Sequence, residues 1–525
     1  MLPHTDRKMS CDSKHYRSCP YNRQNLITKH AMRSALFPSS RADIGHFPSQ
    51  CFSILSAAIH YLTCRTSVLF SESSRSLKAG VSKPQILGVS EYFGQEFHKN
   101  SNIMDVKAIV AKYRPDLAPY EHIYRGIHQN PELSKQESRT ADIAACHLEG
   151  LHGFQVYRGI GGHGVVGVLR NGSGSTVLLR ADMDALPHQE ETKLDYASTR
   201  ISKDFEGKET PVMHACGHDM HTTSLMAAAA MLQAARSEWK GTLICLFQPD
   251  EETAGGAQAM VNDGLYDPRK YGIPIPNVVL AQHVIAFKSG VVALSAGPIL
   301  TAVDSFEVRI FGKSGHICRA DLCVDPVVTA SHIIVRLQTL VTKEVRPEDF
   351  AVIGCTSVHG GNAPNVIPDH VDIKISIRSY RPEVHERVLA SVKRVIRAEC
   401  EASGSLHIRE PTFKTIMHAP STINDAEQTA IVKDAFNGYF GDNSIPLDPL
   451  GPSEDCSILA TACNAPLVYT LYGIVEPKRW EKAVKEDKVS EIPQYHSAFF
   501  APAIQPTMRT GVDAFAVSAL AYLQR

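Results

Sequence analysis

Residues 213–221 hold the densest cluster of chemically active side chains in this chain. The segment reads Met-His-Ala-Cys-Gly-His-Asp-Met-His, which places three imidazoles, a thiol and a carboxylate close together. Cys216 and His218 alternate around Gly217, and alternate residues of an extended segment point to the same side. A thiolate beside an imidazole suits zinc, and also manganese, cobalt or nickel. The simpler alternative is a polar loop that happens to be rich in histidine.

Further acidic and imidazole side chains follow predicted buried strands. They are Asp182 and Asp184 after strand 176–180, Glu251 and Glu252 after strand 242–247, and His283 after strand 277–280. Continuous apolar runs separated by helices, such as the Ala-rich helix predicted over 224–239, are typical of a sheet covered on both faces. Ligands of such sheets bind beyond the carboxyl ends of the strands. We therefore expect these side chains to gather at one edge of the sheet.

Composition excludes some classes of function and partner. The chain has 525 residues and a net charge of −1, so no overall basic field favours nucleic acid or an anionic membrane. Residues 1–103 carry 13 Lys and Arg against 6 Asp and Glu and show little periodicity. They are predicted to be a disordered N-terminal extension or, alternatively, an organelle-targeting segment. The apolar run 52–62 is too short to span a bilayer.

The cysteines bear on the cellular compartment. The chain has 13 of them, scattered without disulfide-like spacing, and no secretory signal peptide is visible at residue 1. An odd, unpatterned count favours a reducing compartment, so the predicted localisation is cytoplasmic.

The pattern of apolar residues predicts an inserted domain in the second half of the chain. There the predicted order is β-α-β-β-α-β, with its final strand over 406–413. This order is typical of a ferredoxin-like sheet with two helices on one face. The sequence thus predicts an α/β fold in which a doubly wound catalytic domain (104–301 and 417–525) contains an inserted ferredoxin-like (βαββαβ) domain (302–416).

Six motifs, in this order, resemble the signatures of the metal-dependent aminoacylase/carboxypeptidase amidohydrolases. They are RADMDALP at 180–187, HACGHD at 214–219, FQPDEE at 247–252, GKSGH at 312–316, NVIP at 365–368 and SED at 453–455. The nearest branch is that of the hippurate hydrolases and the auxin-conjugate (indole-acetyl-amino acid) hydrolases. The resemblance covers about residues 105–525. It implies a zinc-exopeptidase-like catalytic domain whose inserted domain acts as a lid and a dimerisation domain.

The resemblance also implies two divalent metal ions per subunit, zinc or manganese, with cobalt as a further option. Carried over residue by residue, the metal ligands are Cys216, His218, Glu252, His283 and His496. Two metals about 3.5–4 Å apart need a bridging anion, which a thiolate can supply. Asp182 and Asp184 are then expected to lie behind the ligands and to orient them.

The adjacent residues Glu251 and Glu252 diverge, so one is expected to bind metal while the other faces the substrate. The residues alone leave the order open, and the family pattern makes Glu251 the general base of a metal-assisted amide hydrolysis. The family pattern also makes His316 the donor to the oxyanion, often from a partner subunit, which implies a homodimer. Asn365 and Arg378 are candidates to hold a substrate carboxylate, although His316 and Arg378 would also fit ordinary surface residues.

The predicted function is therefore hydrolysis of N-acyl amino acids, either hippurate-like or indole-acetyl conjugates. A dipeptidase or carboxypeptidase of the same fold is the first alternative, because only the shape of the pocket separates these substrates. A catalytically inactive binding protein would be favoured by a broken ligand set, whereas all five ligands and the base are present. Nucleic-acid binding through the basic N-terminal region lacks the aromatic residues that usually accompany it. The residues after His316 depart from the family pattern, so the rim of the pocket is expected to differ.

Overall fold

The computed structural model describes residues 105–525. The predicted N-terminal extension, residues 1–103, lies outside the described residues and stays a prediction. The first elements in chain order are α1 (Val106–Tyr113), α2 (Ala118–His128), α3 (Ser138–Gly150), β1 (Phe154–Ile160), β2 (Gly164–Asn171), β3 (Thr176–Asp182), β4 (Ile201–Lys203), β5 (Glu209–Pro211), α4 (His218–Ala234), β6 (Gly241–Gln248), α5 (Gly256–Asn262), β7 (Val278–Lys288), β8 (Val292–Ala293) and β9 (Gly297–Leu300).

The remaining elements are divided between a second sheet and a return to the first. They are β10 (Ala302–Phe311), β11 (Gly315–His316), α6 (Pro326–Glu344), β12 (Ala351–His359), β13 (Val366–Ile367), β14 (His370–Ser379), α7 (Pro382–Ala402), β15 (Thr412–Ala419), β16 (Thr422–Asn424), α8 (Ala426–Phe440), β17 (Ser444–Ile445), α9 (Ser457–Thr461), β18 (Leu467–Val475), α10 (Pro477–Lys485) and α11 (Ile504–Leu523). Short 3₁₀ helices occupy Arg236–Glu238, Ile317–Leu322, Ser405–His407, Gly441–Asn443 and Val489–Glu491.

The main sheet has eight strands in the order β1-β2-β6-β3-β7-β18-β8-β17. Its centre is parallel, because β6 and β7 flank β3 in parallel and β18 continues beside β7. Antiparallel pairing of β1 with β2 and of β2 with β6 completes one side. The carboxyl ends of the central strands therefore meet at one edge, as the continuous apolar runs predicted.

Strand β3 shows how the sequence fills both faces of this sheet. Val177, Leu179 and Ala181 lie in one apolar cluster with helices α4 and α11, whereas Leu178 lies in a second cluster on the opposite face. Successive side chains of a strand point to opposite faces, so a strand covered on both sides must be apolar at every position. The mixed α/β fold class predicted from these runs is confirmed.

Helix α4 begins earlier than the sequence pattern predicted. The Ala-rich stretch suggested a helix over 224–239, whereas the structure places it at His218–Ala234. The polar residues of its first turn are buried rather than exposed, which hides them from a reading based on apolar spacing. Trp239 lies beyond the helix, after a short 3₁₀ turn.

The second sheet has the antiparallel order β12-β14-β10-β15. With α6 and α7 it forms the predicted β-α-β-β-α-β sequence, and it has its own apolar cluster, which includes Phe306, Ile333 and Ile373. The final strand, predicted over 406–413, is wrong in position, because the structure has it at Thr412–Ala419. Pro411 precedes that strand and cannot donate a backbone hydrogen bond, so pairing starts after it. The boundaries 302–416 stay a prediction, and we call residues 302–419 the lid.

Within residues 105–525, no helix combines the length and the apolar character needed to cross a bilayer.

Candidate metal centre

Cys216 and His218 come together through a turn rather than through an extended segment. Gly217 between them has φ 89°, a left-handed conformation that glycine adopts without strain. A Cβ atom at this position would lie 2.5 Å from Val284 Cγ2, so the turn has no room for a larger residue. Helix α4 begins directly after the turn, and His218 is its first residue. The expected proximity is present, although the extended geometry assumed for it is wrong.

His283 reaches the same point from β7. It lies within this strand, not after its end as the sequence suggested, because β7 continues to pair with β18 beyond the last residue paired with β3. The Nδ1 atom of His283 donates to the carbonyl of Val284 at 2.7 Å. The other ring nitrogen, Nε2, faces Cys216 Sγ at 3.4 Å. A backbone hydrogen bond at one nitrogen leaves the other free to bind a metal.

Glu252 and His496 complete the group. His496 Nε2 lies 3.4 Å from Glu252 Oε2, and His218 Nε2 lies 3.9 Å from Glu252 Oε1. The backbone amide of His496 donates to the carbonyl of Ala215 at 2.7 Å, which holds the C-terminal segment against the cysteine turn. The structure thus brings all five predicted ligands to one place, and their role as ligands stays a prediction.

Two aspartates lie behind these residues, as the sequence suggested. Asp184 Oδ1 accepts a hydrogen bond from His218 Nδ1 at 3.1 Å, which orients the ring. Asp182 Oδ1 accepts from His221 Nδ1 at 2.6 Å, and its Oδ2 accepts from Arg180 at 2.7 Å. The same Oδ2 lies 3.7 Å from His218 Nε2, so Asp182 also approaches the nitrogen that faces the centre.

Unpartnered atoms indicate that these residues fit metal ions. His218 Nε2 and Glu252 Oε1 are buried, and neither has a hydrogen-bond partner among residues 105–525. Buried polar atoms in proteins are normally hydrogen-bonded, so atoms that point inward without a partner suit a bound cation. Together, a thiol, imidazoles and a carboxylate form a donor set that zinc and other borderline divalent ions accept.

The pKa values of Cys216 and His283 also fit a metal site. Burial, followed by the charges of Glu252 and Glu251, raises the pKa of Cys216 well above its usual value. Burial, followed by the neighbouring ring of His221, lowers the pKa of His283 well below its usual value. An imidazole must be neutral to bind a metal, and the lowered pKa of His283 keeps its ring neutral. The raised pKa of Cys216 keeps its thiol protonated, and a cation that binds the sulfur would displace this proton.

Glu251 faces a second acidic group. Its carboxylate has an oxygen within 4.8 Å of carboxylate oxygens of Glu454 and Asp455. Its Oε2 is 3.8 Å from His218 Nε2. Burial, followed by the charge of Glu454, raises the pKa of Glu251 well above its usual value. Both glutamates lie near His218, but Glu252 alone is grouped with Cys216 and His496, and Glu251 alone with Glu454 and Asp455.

A cavity of about 440 Å³ opens over these residues. Its lining combines the polar groups of the centre and Arg378 with apolar side chains, and we call these apolar side chains the apolar wall. The apolar wall consists of Leu300, Val303, Met417, Ala419, Leu450 and Leu471. Lid strands and the carboxyl edge of the main sheet both contribute to it, so the cavity depends on both parts.

The remaining predicted site residues divide into two cases. Arg378 lines the cavity, is partly buried, and donates to Ser453 Oγ at 2.9 Å. His316 and Asn365 are exposed on the lid, where the short strand β11 pairs with β13, and neither belongs to the described residues that line the cavity. The structure of one chain therefore does not bring His316 or Asn365 to the centre.

Two buried residues that hold the centre in place, His221 and Arg180, were not predicted from the sequence. His221 is buried and occupied at both nitrogens, because it also accepts from the amide of Val284 at 2.9 Å. Arg180 is fully buried and donates to both carboxylate oxygens of Glu454, at 2.8 and 3.1 Å. An arginine inside an apolar strand pattern was the available signal, since a buried guanidinium needs acidic partners.

Comparison with known proteins adds a family match. The model of peptidase family M20/M25/M40 matches residues 178–493, which include Cys216, His218, Glu252 and His283 but not His496. The hippurate hydrolase of Campylobacter jejuni is 37% identical over 340 residues, covering 64% of this chain and 83% of the relative.

Two further relatives are similar in sequence or structure. The IAA-amino acid hydrolase ILR1-like 4 of Arabidopsis thaliana is 33% identical over 348 residues, covering 65% of this chain and 74% of the relative. The crystal structure of a dinuclear metal-binding M20 peptidase from Bacillus subtilis superposes with a TM-score of 0.60 at 26% identity. That match covers 79% of this chain and 98% of the other.

Proposed function

The chain belongs to peptidase family M20/M25/M40, and from that premise we propose that it hydrolyses the amide bond of N-acyl amino acids. As a member of this family it is a metal-dependent hydrolase of linear amides. The proposed substrates carry a hippurate-like or an indole-acetyl acyl group. The observation that carries the proposal is the convergence of Cys216, His218, Glu252 and His283 beside a cavity that Glu251 also lines.

We further propose that the centre holds two divalent ions per chain, with Cys216, His218, Glu252, His283 and His496 as ligands. Supporting this number, the donor atoms fall into more than one overlapping group, and Cys216 belongs to two of them. When bound, two divalent cations supply Lewis-acid chemistry, namely polarisation of the scissile carbonyl and acidification of water.

Glu251 is the proposed general base. It lines the cavity beside Glu252 but is not grouped with Cys216 and His496 as Glu252 is. From that position its carboxylate can take a proton from the attacking water and deliver it to the leaving amine. Asp184 keeps the ring of His218 oriented during this transfer, because its Oδ1 accepts a hydrogen bond from His218 Nδ1.

The cavity supports an acyl amino acid as the substrate. Its apolar wall suits an uncharged, bulky group such as an aromatic acyl chain, since burying such a group removes apolar surface from water. Arg378 provides a guanidinium at the polar side and is proposed to bind the free carboxylate. The hydrogen bond of Arg378 to Ser453, which also lines the cavity, holds this side chain at the cavity.

A homodimer is part of the proposal. His316 and Asn365 are exposed on the lid and do not line the cavity of their own chain, so a second subunit is the proposed route by which they reach a substrate. His316 would then donate to the oxyanion, and Asn365 would contact the substrate carboxylate.

Metal analysis and a substrate panel test the proposal. The purified full chain is expected to contain about two divalent ions per subunit and to hydrolyse hippurate-type or indole-acetyl amino acids faster than dipeptides. A chelator should abolish hydrolysis, and zinc, manganese or cobalt should restore it.

Faster cleavage of dipeptides would instead identify a dipeptidase or carboxypeptidase. A chain without metal that cleaves nothing in the panel, even after metal addition, would contradict the proposed function and favour a binding protein.

A further inference from the structure

Glu137 is a buried acidic residue with no role in the chemistry described above. It is the residue directly before helix α3, and its side chain is fully buried. Its carboxylate makes no capping hydrogen bond to its own helix. Instead, Oε1 accepts from the backbone amide of Asp250 at 2.8 Å, next to Glu251 in the chain. The contact with Asp250 links this glutamate to a distant segment of the chain instead of to its own helix.

A second anchor comes from the same short segment. Ser134 Oγ donates to Asp184 Oδ2 at 2.7 Å, and the same oxygen accepts from the amide of Glu252 at 2.9 Å. The amides on both sides of Glu251 are thus anchored to residues 134–137, directly at Glu137 and through Asp184 at Ser134. Glu251 itself sits between these two fixed points.

The turn that carries Glu251 needs such anchors. Asp250 has φ 56°, in the left-handed region, which aspartate adopts more readily than most residues but less readily than glycine. A Cβ atom on Gly256 would lie 1.6 Å from the carbonyl oxygen of Pro249, so the turn closes tightly on itself. A strained backbone conformation persists only where surrounding contacts hold it.

The chemical state of Glu137 agrees with this geometry. Burial, followed by the charge of Asp184, raises the pKa of Glu137 to about 8. Its Oε2 has no hydrogen-bond partner within the described part of the chain, whereas Oε1 also accepts from the amide of Lys135 at 2.8 Å. A neutral carboxyl still accepts at Oε1, so glutamine is a close mimic of the residue in this form.

We propose that Glu137 is a positioning residue for the hydrolysis: by holding the amide of Asp250 it fixes the backbone that presents Glu251 to the cavity. This inference rests on the proposed function for the role of Glu251. Glu137 touches neither the substrate nor the reacting atoms, and its effect passes entirely through the turn 249–256. A displacement of a reacting group by about 1 Å can reduce a rate about a hundredfold, so loss of the anchor should be visible in kcat.

Three variants of Glu137 test the proposal, with one control. Glu137→Ala removes the acceptor, Glu137→Asp withdraws it by one methylene, and Glu137→Gln keeps it. The control is Glu132→Ala, because Glu132 lies in the same loop and accepts from the amides of Arg139 and Thr140 in helix α3. It has no hydrogen bond to the turn 249–256 among the residues described.

Each variant is examined for kcat, KM, metal content and hydrogen–deuterium exchange of the peptide that contains residues 249–256. Glu137→Ala and Glu137→Asp should lower kcat and kcat/KM equally, by about tenfold to a hundredfold, because an interaction needed in the transition state is lost. Metal content should stay near the wild-type value, and amides of the turn should exchange faster. Glu137→Gln should restore both kcat and exchange, and Glu132→Ala should change neither.

Unchanged kcat in Glu137→Ala, an equal loss in Glu137→Gln, or unchanged exchange in the turn would each overturn the inference. If Glu137→Ala does not fold, Glu137→Asp and Glu137→Gln give the same comparison. If the wild-type chain hydrolyses no substrate of the panel, the proposed function fails by itself. Exchange in the turn still decides whether Glu137 anchors it.

Discussion

Glu251 and Glu252 are neighbours in the chain but meet different groups. Both approach His218, but only Glu252 also approaches Cys216 and His496, whereas only Glu251 approaches Glu454 and Asp455. Adjacent side chains diverge, so one residue can serve the metal ions while the other remains free for proton transfer. This division supports the assignment of Glu251 as the proposed base and Glu252 as a proposed ligand.

Glu251→Gln is the direct test of the base. Glutamine keeps the shape of the side chain but cannot accept a proton, so kcat should fall about 10²–10⁴-fold. Metal content, measured by mass spectrometry on the purified protein, should remain at the wild-type value. Glu191→Gln, at an exposed position, is the control and should keep full activity. Near-normal turnover in Glu251→Gln would remove the base assignment.

Cys216→Ala tests the thiol as a ligand. Its sulfur lies 3.4 Å from His283 Nε2 and within reach of Glu252, so its loss should lower the metal bound per chain. Cys245→Ala is the matched control, because Cys245 is equally buried in β6 but belongs to the apolar core. The same metal content in Cys216→Ala and in the wild type would contradict the ligand role.

Among the elements, strand β10 has a particular position because it begins the lid and pairs with both β14 and β15. Asp304 near its start accepts from His385 Nε2 of α7 at 2.8 Å and from His418 Nδ1 of β15 at 3.0 Å. One carboxylate therefore ties a helix and a second strand to β10. Val303 and Met417, next to these residues, line the cavity.

We expect the Asp304 carboxylate to make the stability of the protein depend on pH. Burial opposes the charge of Asp304, but hydrogen bonds from His385 and His418 outweigh it and lower the pKa of Asp304. The hydrogen bond to Asp304 raises the pKa of His418. The stability from Asp304 is present above the unfolded pKa of about 4 and is lost as pH falls through the folded pKa. The stability from His418 is present below its unfolded pKa of about 6.5 and is lost as pH rises through its folded pKa.

Asp304→Asn should therefore lower the thermal midpoint more at about pH 5.5 than at about pH 9, because a larger fraction of His418 is protonated at the lower pH. Asp369→Asn is the control, since Asp369 pairs with His370 at an exposed position where such pairs contribute little. An equal shift at both pH values would show that the charge of His418 does not contribute.

At the scale of the whole molecule, the cavity lies between the carboxyl edge of the main sheet and the lid. Strand β7 and the turns at this edge supply His283, Cys216 and Glu251, and the lid supplies Arg378 and the apolar residues of β10 and β15. His316 is also on the lid but outside the cavity of its own chain. In the proposed homodimer, a complete site combines residues from two subunits.

A heterodimer of Glu251→Gln and His316→Asn subunits tests this arrangement. If His316 acts across subunits, the site of the His316→Asn subunit has its own intact Glu251 and receives an intact His316 from the Glu251→Gln subunit. The other site lacks both residues. The heterodimer, isolated with two different tags, should show about half of the wild-type activity, while each parent homodimer has little. A heterodimer of Glu251→Gln and Cys216→Ala is the control, because neither subunit then has both an intact Cys216 and an intact Glu251. No recovery in the first heterodimer would contradict the role of His316 across subunits.

Several elements were predictable because local signals define their ends. The sequence pattern predicts a strand over 370–379 and helices over 382–402 and 426–440, and β14, α7 and α8 have these bounds. Pro382 lies in the first turn of α7, and the Asp425 side chain accepts from the Gln428 amide at the start of α8. The start of α4 and the position of β15 were not predicted, because burial of polar residues and pairing with β10 decided them.

The amino-acid sequence by itself determined the kinds of donor atom, their order along the chain and the fold class, because apolar periodicity and side-chain chemistry are local properties. Only the tertiary structure decided which neighbours Glu251 and Glu252 meet, that Arg180 and His221 support the centre, and that His316 lies outside it. The contact of Glu137 with Asp250 is of the same kind, since it joins residues 113 positions apart. Such contacts depend on how separate elements pack, and no local pattern in the chain encodes a distance between them.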